Sequence, residues 1–331
     1  MIRSLYHTQD GQSRTDLAPE EFAQAIQDPG GLLWVDFEGE PPKVCEPILR
    51  EVFNFHPLAV DDALSENHVP KVDDWGQYVY VVLHAISFDN DDENGEHVDT
   101  MELDFFLGTN FVVTHHDYPI AAVGRVWDSC HRDERHLQKG ADYLAYRLAD
   151  ELVADYMPAV EQIEEVIDHI EDQVFADPSS EVLQHIFSLK RALLHLRRIL
   201  MPQREVLNKL ARGDFPQIDS EARAFFRDVY DHLVRLNDII ESMRDLIGGV
   251  MDTYLSVINN RMNDIMKTLT AIATLFMPLS FVAGFFGMNF FQPVAGWMKA
   301  WTSTVALVLT LLIMVGTPLG MLVWIKRRRW M

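Results

Sequence analysis

Short runs of β-rich, mostly apolar residues alternate with amphipathic helical stretches through the first third of the chain. "LLWVDF" at 32–37, "YVYVVLHAI" at 78–86, "LDFFL" at 103–107 and "FVVTH" at 111–115 read as strands. The last two flank Gly108-Thr109-Asn110, turn residues between β-rich segments, which predicts a hairpin. Helical patterns at Pro19–Ile26 and Val44–Phe53 alternate with these runs. Residues 1–135 are therefore expected to form a small α/β domain.

Beyond about Ala141 the period becomes helical and stays so. Val160, Ile163, Ile167, Ile170 and Val174 recur at spacings of 3 and 4, and "DPSS" at 177–180 breaks the run. Val182, Ile186, Leu189, Leu193, Leu196 and Leu200 then resume the rhythm, which predicts an antiparallel helical hairpin. Its charges are complementary: Glu161, Glu164, Glu165, Asp168, Glu171 and Asp172 load the first helix, and Lys190, Arg191, Arg197, Arg198, Arg204 and Lys209 the second. Exposed pairs contribute only ~0–1 kcal/mol each, so the apolar seam is expected to supply the stability and the charges the register. A third helix begins near Ser220 and keeps the seam through Leu233, Leu236, Ile240, Met243 and Ile247. It meets no proline until Pro278. Unbroken to Met288, it would be roughly 100 Å long at ~1.5 Å per residue, a stalk. Residues 136–265 are assigned to this helical part.

Residues 268–298 carry no charged side chain, and neither do residues 300–325. A bilayer core needs about 20 apolar residues per helix, so two C-terminal spans are expected: 266–288 and 301–325, joined by a loop at 289–300. Lys326, Arg327, Arg328 and Arg329 follow the second span, whereas the loop between spans holds only Lys299. The positive-inside rule then puts the basic tail, 326–331, in the cytosol. Two spans return the N-terminus to the same side, so a multi-pass protein of the cytoplasmic membrane is expected. No apolar signal segment occurs near Met1.

Charge narrows the partners. The chain has 50 acidic and 28 basic residues, a net charge of −22, which argues against nucleic acid and for cations. Cys45 and Cys130 cannot make a disulfide framework. On the first span, Asn263, Met266, Thr270, Ala273, Met277, Ser280 and Gly284 recur at 3 and 4, one polar or small stripe. The opposite stripe, Leu275, Leu279, Val282 and Phe286, is bulkier and suits lipid or the second span. Spacing alone leaves two readings of the small stripe open, a pore lining and ordinary membrane helix packing. A single such span per chain can enclose a pore only by oligomerising around an axis.

"GMN" at 287–289, preceded by "LFMPLSFVAGFF" and followed by a second span ending in "KRRRW", resembles the CorA family of divalent-cation channels. "FRDVYDHLVRLNDIIESMRDL" resembles that family's stalk, and "HPLAVDDAL" with "VPKVDDWGQYVYVVLH" its N-terminal domain. The resemblance implies a homopentamer with a cytosolic funnel, seated in a lipid bilayer and passing magnesium. Gly287, Met288 and Asn289 would be the selectivity filter, and Asn263, Leu269, Met277 and Ser280 would line the pore. Periodicity places Thr270 on that line where the resemblance places Leu269. The family's regulatory magnesium sites fall on Asp62 with Asp228 and on Asp61 with Asp150, each pair bridging two subunits. Magnesium would thus be both cargo and regulator.

Magnesium keeps its waters reluctantly exchanged and octahedral, so a filter of neutral oxygens suits it. The Asn289 amide offers a carbonyl that accepts hydrogen bonds from those waters. Two departures from the family stand out. The segment after the tripeptide is "FFQPVAGWMK", without the acidic residues common there, and Ser280 stands where Thr is common. The first weakens cation capture at the outer mouth and keeps a proton-coupled zinc transporter of the ZntB type open as an alternative. Cobalt and nickel are further candidate cargo, and a third reading is a membrane-anchored ligand sensor. His115 and His116 are adjacent, so in a strand they face opposite ways. No zinc, nucleotide or hydrolase motif is present, and no enzymatic activity is expected.

Overall fold

The β-rich runs pair into one seven-stranded sheet in the computed structural model, which describes residues 1–65, 69–88, 98–287 and 304–327. In chain order the strands are β1 (Ile2–His7), β2 (Ser13–Thr15), β3 (Leu32–Glu38), β4 (Lys71–Asp74), β5 (Val79–Phe88), β6 (Val98–Leu107) and β7 (Phe111–His116). Their spatial order is β2-β1-β3-β7-β6-β5-β4. Only β3 and β7 pair in parallel, with Asp36 level with Thr114; every other pairing is antiparallel. The Gly108-Thr109-Asn110 hairpin forms as expected, closed by a hydrogen bond from the Gly108 N–H to the Phe111 carbonyl at 2.9 Å. The β1–β2 pair lies upstream of the strand signal and was not expected from the pattern.

Side chains alternate across the sheet and divide the domain into two cores. On one face Leu33, Val35, Phe37, Tyr80, Phe106 and Val113 pack against α1 (Pro19–Ile26), α2 (Pro42–Pro47) and α3 (Pro57–Ala63). The helical pattern over Val44–Phe53 becomes α2 followed by a π-type turn, Ile48–Val52. Pro47 has no N–H to donate, so the ladder loosens there and the Phe53 N–H reaches the Ile48 carbonyl at 3.3 Å. On the other face Trp34 meets Trp127 of α4 (Ala121–Arg132), with ring centroids 4.9 Å apart. There α5 (Ala141–Ala154), α6 (Tyr156–Ala176) and α7 (Ser180–Arg212) also touch the sheet.

The helical hairpin breaks where "DPSS" predicts. The Ser179 hydroxyl caps α7 by accepting from the Val182 N–H at 3.3 Å, and Gly213 closes it at φ +85°. The expected seam residues of α6 and α7 are all buried. Each fully buried Leu, Ile or Val contributes about 1.5–3 kcal/mol, far more than an exposed ion pair. The expected ion pairing across this hairpin is not formed among the described residues. The α6 acids point to solvent, and Arg197 of α7 instead pairs with Glu241 of α8 (Ser220–Gly287). Long exposed side chains lose conformational entropy when they pair, so an apolar seam without bridges is no costlier.

The chain divides into two compact units, Met1–Met251 and Asp252–Met331. In the first, Asp219 caps α8 through the N–H groups of Glu221 and Ala222. Phe226, Val229, Leu233, Leu236, Ile240, Met243 and Ile247 form its buried seam. In the second lie the C-terminal part of α8, which passes Pro278 without breaking, and α9 (Thr304–Arg327). Among the described residues, α8 alone contains a segment long and apolar enough to cross a membrane; the apolar stretch of α9, Val308–Met321, is shorter.

Candidate cation pathway and carboxylate sites

The apolar segment of α8 is uncovered within its own chain, yet not uniformly so. Asn263, Met266, Leu269, Thr270, Ala273, Met277, Ser280 and Gly284 are exposed, whereas Leu275, Leu279 and Val282 are half-buried. Met277 and Phe281 leave 72% and 73% of their surface open, an arrangement that water would not tolerate along a whole helix. Leu269 and Thr270 are equally exposed, so burial does not choose between them. Gly287 is the last residue of α8 and is exposed; a Cβ there would meet nothing within 4 Å. Met288 and Asn289 lie outside the described residues.

The four sequence-derived carboxylates sit on three elements. Asp61 and Asp62 are neighbours on α3. Arg50 binds the Asp61 carboxylate at 2.7 Å, and Lys71 at the start of β4 donates to Asp62. Asp150 lies on α5 and Asp228 on α8, and these helices run side by side. The Tyr146 and Phe225 rings stack at 4.9 Å, and Asp142 accepts from the Asp219 N–H at 3.1 Å. Asp150 is half-buried; burial raises its pKa, opposed by the charge of Arg147. The Tyr146 hydroxyl lies 3.4 Å from its carboxylate. Asp228 is exposed. Each expected pair thus draws one carboxylate from α3 and one from the α5–α8 pair.

Two polar groups of the sheet escaped the sequence analysis. Asp36, Glu38 and His116 present ligand atoms within 4.8 Å of one another. Asp36 is fully buried and accepts from Thr114, from Arg3 at 2.8 Å and from His116 Nε2 at 3.2 Å. His116 Nδ1 lies 2.7 Å from the Tyr118 carbonyl, which can only accept. Both ring nitrogens therefore carry protons, assigned from their partners. Burial is the largest single influence on the His116 pKa and works to lower it, but the hydrogen bond and charge of Asp36, joined by the Tyr118 carbonyl and Glu38, together raise it. Burial likewise works to raise that of Asp36, and the bonds from His116 and Thr114 hold it down. An imidazolium has no lone pair to give a metal, so this cluster is an ion network that ties β1, β3 and β7 together.

His115 faces the other way, as adjacent strand residues must. It is 3% exposed, neither ring nitrogen has a hydrogen-bond partner, and Nδ1 lies 3.8 Å from Asp104 Oδ2. Asp104 also accepts from the Tyr80 hydroxyl. His115 and Asp104 line a cavity of about 170 Å³ shared with Ser65, Thr100, Glu102, His116 and Asp117. The available signal was the alternation in "MELDF", acids at 102 and 104 on one strand face opposite a histidine in the next strand.

Comparison with known proteins fits this architecture. Residues 29–327 match the family described as CorA-like Mg2+ transporter protein. The chain is 36% identical over 298 residues to YfjQ of Bacillus subtilis, covering 90% of this chain and 89% of that protein. It is 34% identical over 317 residues to the cobalt/magnesium transport protein CorA of Thermotoga maritima, covering 94% and 87%. The complete structure of the CorA magnesium transporter from Methanocaldococcus jannaschii superposes with a TM-score of 0.82 at 22% identity, covering 99% and 98%. At that identity the superposition speaks for the fold.

Proposed function

Because the chain belongs to the family of CorA-like Mg2+ transporters, whose members move ions and are not enzymes, we propose that it is a homopentameric channel for hydrated magnesium. Ions pass down their electrochemical gradient, with cobalt and nickel as further cargo. The observation that carries this reading is the stripe on α8. Asn263, Met277 and Ser280 stay open within one chain, beside a half-buried apolar face at Leu275, Leu279 and Val282. One such helix cannot enclose a passage, and polar groups left against lipid cost free energy. Copies arranged around an axis turn the stripe inward and leave the bulkier residues outside.

In this arrangement Asn289 forms a ring of amide carbonyls at the outer mouth that accept hydrogen bonds from the ion's waters. Gly287 and Met288 shape the ring. Met277 and Leu269 form an apolar constriction that gates by dewetting, and Asn263 forms a second amide ring at the inner end. The spans are α8 and α9, with both termini in the cytosol of a cell whose cytoplasmic membrane holds the protein. The loop "FFQPVAGWMK" lacks carboxylates, so capture at the outer mouth rests on Asn289 and backbone oxygens.

Regulation follows from carboxylates crowded across subunit boundaries, Asp62 against Asp228 and Asp61 against Asp150. They repel until cytosolic magnesium bridges them; losing the ion loosens the ring and opens the pore. Proton-coupled zinc transport is the second reading, favoured by the missing acids after the tripeptide. A membrane-tethered sensor would need neither Asn263 nor Ser280. Flux into liposomes separates all three. Magnesium uptake indifferent to a pH gradient is expected; zinc uptake driven by protons would replace the reading, and no flux would end it.

A further inference from the structure

The cavity beside the first half of β6 and the end of β7 holds a buried imidazole without a hydrogen-bond partner. Buried polar side chains in folded proteins nearly always find a hydrogen bond, and His115 finds none on either nitrogen. The antiparallel pairing sets Asp104 directly opposite His115, and Glu102, two residues away on β6, shares that face. Their separation is informative. At 3.8 Å, His115 Nδ1 and Asp104 Oδ2 are too far apart for a hydrogen bond. Two ligands of one ion at about 2.0–2.2 Å each stand roughly 3–4 Å apart.

We propose that His115 and Asp104 bind one transition-metal dication of the zinc, cobalt or nickel type, with Glu102 on the same cavity wall as a neighbouring charge rather than a direct ligand. The imidazole and a carboxylate supply a mixed nitrogen and oxygen donor set, which those ions accept and magnesium does not favour. The cavity of about 170 Å³ has room for waters to complete the coordination. The two carboxylates balance the ion's charge when the imidazole is neutral. This site uses none of the carboxylates Asp61, Asp62, Asp150 and Asp228 as a ligand, and does not depend on what passes along α8. It gives the cytosolic α/β domain a means of responding to a class of metal other than magnesium.

The test is equilibrium binding of Zn2+ and Co2+ to the full-length protein in detergent, with magnesium saturating so that all-oxygen sites are filled. One equivalent per chain is expected, and the Co2+ complex should show a ligand-field spectrum that includes nitrogen ligation. His115→Gln should weaken binding at least tenfold, and Glu102→Gln on the cavity wall should weaken it less. Zn2+ should also raise the melting temperature of the wild type but not of His115→Gln. Absence of magnesium-resistant binding in the wild type, or unchanged binding in a folded His115→Gln protein, overturns the proposal. If His115→Gln does not fold, unchanged binding in Glu102→Gln together with a Co2+ spectrum from oxygen ligands alone does the same.

Discussion

Lys71 donates a hydrogen bond to Asp62, so one of the proposed regulatory carboxylates is already countered by a cation of its own chain. An ion bridging Asp62 to a neighbouring subunit has to compete with that ammonium. Lys71→Ala removes the competitor. The pair is partly exposed and contributes about 0.2–1 kcal/mol, so inhibition by cytosolic magnesium should move to concentrations up to about fivefold lower. Liposome flux measured against internal magnesium reads the shift directly; a shift to higher concentrations would mean that Lys71 assists the closed state.

Asp228 is exposed on α8 and carries the opposite prediction. Asp228→Ala deletes a proposed bridging ligand without opening a cavity, so folding and assembly should be untouched. Conduction should persist at internal magnesium that silences the wild type. An inhibition curve that stays where it was would remove Asp228 from the sensor.

The ion network around Asp36 makes a prediction about stability alone. Asp36→Ala leaves the Arg3 guanidinium and the protonated His116 facing each other in the interior, without the carboxylate that both bind. Breaking a buried pair in this way costs about 3–5 kcal/mol. Thermal unfolding should shift down by many degrees while per-channel flux in the surviving folded protein is unchanged. A melting temperature close to that of wild type would mean that water reaches the network.

Why the helical half was legible and parts of the sheet were not follows from where the information lies. Val160 to Val174, Val182 to Leu200 and Leu233 to Ile247 repeat a local period, and a seam of that kind declares its own buried face. The "DPSS" break and the Gly108-Thr109-Asn110 turn are equally local. β2 is short, and the polar residues of "IRSLYH" and "SRT" hide the pairing of β1 with β2 and with β3. The π-type turn after Pro47 depends on a missing donor, which the apolar pattern does not record. The bond between Asp36 and His116 spans 80 residues and exists because β3 and β7 lie parallel. No spacing rule reaches that far. The stripe from Asn263 to Gly284 is likewise a local period; periodicity places Thr270 on it and the family resemblance places Leu269, and both are exposed.

The apolar constriction can be tested by wetting it. Met277 is among the most exposed apolar residues of α8 within one chain. In the proposed assembly its side chains meet at the axis, where they exclude water when the pore narrows. Met277→Gln keeps similar length and bulk and adds donors and an acceptor, so the closed pore should hold water and leak. Basal magnesium flux at inhibitory internal magnesium should rise severalfold, with the same maximal flux when magnesium is removed. An unchanged basal flux would move the gate elsewhere along the helix.

The filter prediction is the most exposed, since it rests on one amide per chain. Asn289→Ala removes the carbonyl proposed to accept from the ion's waters. Because magnesium gives up those waters slowly, no backbone group can replace that acceptor by stripping the ion, and the acid-free loop supplies no carboxylate to recruit it. Uptake should therefore fall to background while size-exclusion chromatography still reports the same oligomer. Asn289→Asp separates geometry from charge: it keeps an acceptor oxygen at the same place and adds a formal charge at each subunit, which holds a dication longer and should slow conduction without abolishing binding. Wild-type flux in Asn289→Ala would show that the outer ring does not select the ion, and the burden would pass to Asn263 at the inner end.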